Sequence, residues 1–82
     1  HHPQLIVGQT YRVNTAHVFM GTDGMEIRVQ PGGYFQCVRR ETLLKGLSYS
    51  ARIWDGTGKE YLGYVDADSL SEQSVVPSSP TK

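Results

Sequence analysis

The chain has 82 residues, 38% of them hydrophobic, with eight basic and eight acidic side chains. That length sets one small domain with a single core and a thin stability margin. The zero formal charge argues against a dedicated DNA binder, whose domain is basic overall, and no apolar run reaches the roughly 20 residues a membrane helix needs, so the chain is expected to be soluble.

Taken in order, His1-His2 fits the remnant of an affinity tag and is given no role. Residues 1–8 form a lead-in whose apolar patch, Leu5-Ile6-Val7, is placed to dock as an edge segment. Gln9–Asn14 alternates Tyr11 and Val13 with Thr10 and Arg12, which predicts a short half-buried strand. His17–Met20 is a second candidate, and Gly21-Thr22-Asp23-Gly24 supplies a turn. Met25–Gln30 has the best strand period, with Met25, Ile27 and Val29 on the inward side. Pro31-Gly32-Gly33 breaks the chain before Tyr34–Arg40, and the two runs read as a hairpin. Glu41–Lys45 is ambiguous: it is long enough for one helical turn capped by Gly46, yet so short that a loop or 3₁₀ turn competes.

The densest signal follows. Leu47–Trp54 and Glu60–Val65 flank Asp55-Gly56-Thr57-Gly58, a β-hairpin pattern. Gly63-Tyr64-Val65 and the polar turn Asp66-Ala67-Asp68-Ser69 then close on Leu70. The composition of Ser74–Lys82, with Pro77, Pro80 and three serines, predicts a disordered tail or linker. The domain thus spans residues 9–73. Its glycines and prolines punctuate the chain every 8–12 residues or so, the spacing of a small sandwich or barrel. Five or six short antiparallel strands of this kind close into one small barrel and remove exposed edges.

The closing stretch resembles bacterial SH3-like domains. In that family a strand ends in Gly-Trp/Tyr-Val, a short 3₁₀ turn follows, and a leucine closes the barrel; here these are Gly63-Tyr64-Val65, Asp66–Ser69 and Leu70. Tyr11-Arg12-Val13 is similar to the family's first strand. Where the family commonly has Asn-Val-Arg-Ser-Gly-Pro, this chain has His17-Val18-Phe19-Met20-Gly21. What the resemblance implies is therefore an all-β, SH3-like barrel, with no carry-over of the family's cell-wall peptide binding.

Catalytic signatures are weak. The single cysteine, Cys37, rules out an intramolecular disulfide and a cysteine-based zinc site. Among Tyr34, Phe35 and Val38 it reads as a small buried hydrophobe, with Arg39 two residues along on the same face. Asp66 and Asp68 read as turn residues rather than a cation site. His17 has no acid–base partner near it in sequence, and Gly21–Gly24 lacks the lysine and helix of a phosphate loop. The chain is expected to be neither an enzyme nor a holder of metal or cofactor.

The aromatics carry more. Tyr49, Ala51 and Ile53 share one strand face, and Ser50, Arg52 and Trp54 the other; beyond the turn, Leu62 and Tyr64 lie opposite Tyr61, Gly63 and Val65. Both faces cannot be core. Arg52, Trp54 and Tyr64 are the candidate ligand-binding set, and the expected role is recognition of a peptide or partner protein by an aromatic-lined surface. A nucleic-acid-binding alternative rests on residues 28–52, where Arg28, Arg39, Arg40, Lys45 and Arg52 face Glu41 alone. A third reading is a structural subunit of a larger assembly, oligomers included.

Overall fold

Alternation at a spacing of two gives a strand one face to bury. In the computed structural model, which describes residues 4–42 and 46–78, nearly every alternating run becomes one. The strands are β1 (Thr10–Val13), β2 (His17–Gly21), β3 (Glu26–Val29), β4 (Tyr34–Glu41), β5 (Ser48–Trp54), β6 (Glu60–Asp66) and β7 (Val75–Pro77). They form one antiparallel sheet in the order β3-β2-β6-β5-β4-β1-β7, curled into a half-barrel. Curling brings inward residues of distant strands together. Phe35 of β4 stacks on Tyr11 of β1 at 5.4 Å between ring centroids and meets Phe19 of β2 edge-on at 5.6 Å. Val13, Val29, Cys37, Ile53 and Val65 complete the dry centre. Leu5 of the lead-in is buried with them, while Ile6 and Val7 stay exposed.

The Leu47–Val65 hairpin forms as the sequence predicts. β5 and β6 pair from Trp54↔Glu60 to Ser48↔Asp66. Their turn is closed by the Asp55 amide donating to the Lys59 carbonyl at 3.2 Å. Gly56 and Gly58 sit at φ +97° and +96°, a region side chains avoid. The Asp55 carboxylate accepts from the Thr57 amide at 2.8 Å and its hydroxyl at 2.6 Å. After β6, Asp66 caps a 3₁₀ turn (Ala67–Ser69) by accepting from the Asp68 amide, and Leu70 is buried in the core.

Five expectations are corrected. Among the described residues the strands number seven, not five or six. The sheet keeps two open edges, β3 and β7, rather than closing on itself. β7 arises inside the stretch 74–82 that composition marked as a tail. Val75 is buried, the Asn14 amide donates to the Ser74 carbonyl at 2.6 Å, and the Ser78 amide donates to the Thr10 carbonyl at 2.8 Å. One valine that fills a core gap and a free edge on β1 suffice to order a segment that cannot fold alone; residues 79–82 lie outside the described ones. Pro31-Gly32-Gly33 is not a hairpin turn, because β3 pairs with β2 and β4 lies between β5 and β1. It carries the chain across the fold: the Val13 amide donates to the Gly33 carbonyl and the Gly32 amide to the Val13 carbonyl. Met25, expected inward, is 67% exposed. It belongs to the β2–β3 turn, where its amide donates to the Asp23 carboxylate at 3.0 Å.

For the ambiguous Glu41–Lys45 stretch, Glu41 is the last residue of β4; Leu43–Lys45 lie outside the described residues.

Candidate functional site

The outward face of the sheet is where side chains are not spoken for by the core. Cross-strand register sets them in rows. One row runs Glu60, Trp54, Tyr34, Arg12, Val76 across β6, β5, β4, β1 and β7. The next runs Leu62, Arg52, Gln36, Thr10. Tyr34 is 42% exposed, Trp54 is half-buried, and the two rings meet edge to face at 6.3 Å and 89°. The Arg52 guanidinium lies over the indole, 5.3 Å from its centroid. Its Nε also donates to the Glu60 carboxylate at 2.8 Å. That bond holds the Glu60 carboxyl below its usual range and raises the Arg52 guanidinium further. The result is an aromatic pair with a cation over the indole, itself held by Glu60.

Tyr64 does not join this cluster. It is half-buried on the same outward face, but it pairs with Ser50 and Met20. That is four residues along the hairpin from Trp54, or about 13 Å at the rise of a strand. There it lines a groove with Val18 and Met20. The predicted set of Arg52, Trp54 and Tyr64 is thus two patches on one face. The sequence reading missed Tyr34, because only the β4–β5 register brings it opposite Trp54.

The other aromatics face inward: Tyr49 and Tyr61 pack against the core. The Tyr61 hydroxyl donates to the Asp55 carboxylate at 3.2 Å and helps fix the turn. That bond, with the larger contributions from Thr57, holds the Asp55 carboxyl low.

The basic set is dispersed. Arg28 faces Glu26 at 3.6 Å, Arg39 is ion-paired with Glu41 at 3.0 Å, and Arg52 is held by Glu60. Arg40 donates to the Glu41 and Ser48 carbonyls and stacks over Tyr49. Lys45 lies outside the described residues. A β-bulge sets the faces of Arg39 and Arg40: the β4–β5 register shifts between Cys37 and Arg39, with Val38 as the extra, exposed residue. Arg39 is therefore on the outer face opposite Ser50, not on the face of Cys37, and Arg40 turns inward beside Tyr49.

Cys37 is fully buried, and burial pushes its thiol up to about 12; it is held as the unreactive thiol. His17 is half-buried against the Phe19 ring at 4.7 Å, and burial lowers its pKa. Asp66 and Asp68 serve the turn, Asp66 as its cap and Asp68 accepting from the Leu47 amide. Among the described residues, no three His, Cys, Asp or Glu side chains gather as a metal site would require, and no helix is long and apolar enough to cross a membrane.

The chain matches no protein-family model, no curated protein and no solved structure.

Proposed function

We propose that the protein is a non-catalytic recognition module that binds a polypeptide on the outward face of its sheet, with Trp54 as anchor. The observation that carries this reading is the Trp54–Tyr34 pair, braced by Arg52 and Glu60 on the solvent side. A tryptophan there is not needed for the core, and a ring held in place loses little entropy when a ligand covers it. Trp, Tyr and Arg are also the residues that most often dominate interface energies. The dispersed arginines, three of them beside carboxylates, favour this over nucleic-acid binding, which wants a continuous basic track.

The finer fold reading, an SH3-like barrel, is a proposal of the same kind. Its support is the strand ending in Gly63-Tyr64-Val65, the capped 3₁₀ turn and the buried Leu70.

The test is a peptide-library screen read by the fluorescence of Trp54, with random oligonucleotides in parallel. A peptide that binds should lose at least about 2 kcal/mol, roughly 30-fold, on Trp54→Ala, and less on Tyr34→Ala. Binding confined to oligonucleotides, with affinity collapsing as salt rises, would establish the nucleic-acid reading instead. Self-association that Trp54→Ala abolishes would establish an assembly subunit.

A further inference from the structure

β2 and β6 run together for only two residue pairs, Met20↔Tyr64 and Gly21↔Gly63. Gly63 makes this approach possible, since a Cβ there would lie 2.6 Å from the Met20 carbonyl oxygen. Past that point the sheet splits. β2 stays with β3 as far as His17↔Val29, and β6 stays with β5 as far as Ser48↔Asp66. Between the diverging halves lies a groove of about 420 Å³.

Three features describe what fits it. Its walls are apolar: Val18, Met20 and Tyr64 line it, and the first two are 48% and 52% exposed. Its charge is negative. Glu26 and Asp66 both border it, while burial lowers the pKa of His17, its one basic ring, and so disfavours a positive charge there. The nearest cation to Glu26 among the described ion pairs is Arg28, at 3.6 Å and well exposed, a contact that exchanges cheaply. Its edge is a strand edge. The Gly21 amide donates toward β3, to the Met25 carbonyl, and the Thr22 amide toward β6, to the Leu62 carbonyl. By alternation the Val18 amide and carbonyl turn to the β6 side, where the β2–β6 register no longer supplies a partner.

We infer that this groove docks an extended segment of a partner protein in which an aliphatic residue is flanked by lysine or arginine. The aliphatic side chain seats in the groove against Val18, Met20 and Tyr64. The cations meet Glu26 and Asp66, and the segment's backbone bonds along Val18 as an added strand. Neutral or basic lining would suit an acidic segment or a nucleic acid; this lining suits neither. The site is distinct from the Trp54–Tyr34 pair and stands whether or not that pair binds anything.

The experiment is amide-shift mapping of the isotopically labelled full chain against two peptides, one alternating valine with lysine and its counterpart alternating valine with glutamate. The lysine peptide should move the amides of Val18, Met20, Tyr64 and Asp66, and the glutamate peptide should not. Glu26→Gln should weaken the lysine peptide severalfold, and Glu26→Gln with Asp66→Asn at least tenfold; asparagine still caps the 3₁₀ turn, so the fold survives. Equal binding of the two peptides, shifts confined to Trp54 and Tyr34, or shifts of the groove amides that grow with protein concentration alone would each overturn the proposal, the last by assigning the groove to a second copy of the chain.

Discussion

Trp54 has the Tyr34 edge on one side and the Arg52 guanidinium over its face, and none of these contacts reaches the core. Its removal should therefore cost less than about 2 kcal/mol of stability. Phe35→Ala, by contrast, empties the centre of the core and should cost about 3–5 kcal/mol. Denaturant melts of the two variants check the difference, and partial quenching of Trp54 by acrylamide checks its half-burial. Cys37 makes a second prediction. Folding raises its thiol from 9.0 to about 12 by burying it, so the native state refuses the charge that the unfolded chain accepts. The stability from keeping it neutral is fully present below pH 9 and is lost as the pH climbs toward 12. Alkaline melting curves of the wild type and Cys37→Ala should show part of that loss disappearing in the variant. Burial of Cys37 was legible from its apolar neighbours; that Arg52 and Trp54 share one face was legible too, but parity alone left open whether that face is surface or core. The face of Arg39 was not, because the bulge at Val38 reverses parity and nothing in Cys-Val-Arg-Arg marks it. Nor was the Tyr34–Trp54 contact, since register between strands is set by the whole core.

The β5–β6 hairpin is the element the sequence describes most fully, because its turn chemistry is local. Valine at Gly56 or Gly58 should cost on the order of 1–2 kcal/mol from the left-handed backbone each needs. The Gly58 site is the cleaner test, since space around it is open and only strain can act; thermal melts give the number. β7 is the opposite case. Its residues look like a tail, and its partner β1 lies near the other end of the chain, so no window of sequence contains both. Truncation before Val75 uncovers the core and leaves β1 without one neighbour. The melting temperature should fall by more than about 5 °C, which at this size is near 1 kcal/mol. A tail without contacts would leave it unchanged. Pro31-Gly32-Gly33 misleads for a related reason: the same residues make a tight turn or a crossing, and the choice depends on where β1 stands.

At the scale of the whole molecule, all-β architecture follows from alternation and punctuation, and 53% of the described residues are strand. The half-barrel's open edges were not legible, because closure depends on how far seven strands curl. The place of β1 has a consequence in time. It precedes both of its sheet neighbours, β4 and β7, in the chain, so during synthesis it must wait first for one and then for the other. Until Val75–Pro77 emerges, Tyr11 and Val13 have a floor to pack on but one side unsealed. Synthesis and folding therefore cannot overlap fully here. The hairpin of β5 and β6 can assemble from local sequence, whereas the outer β1–β7 seam must wait for strands far apart in the chain.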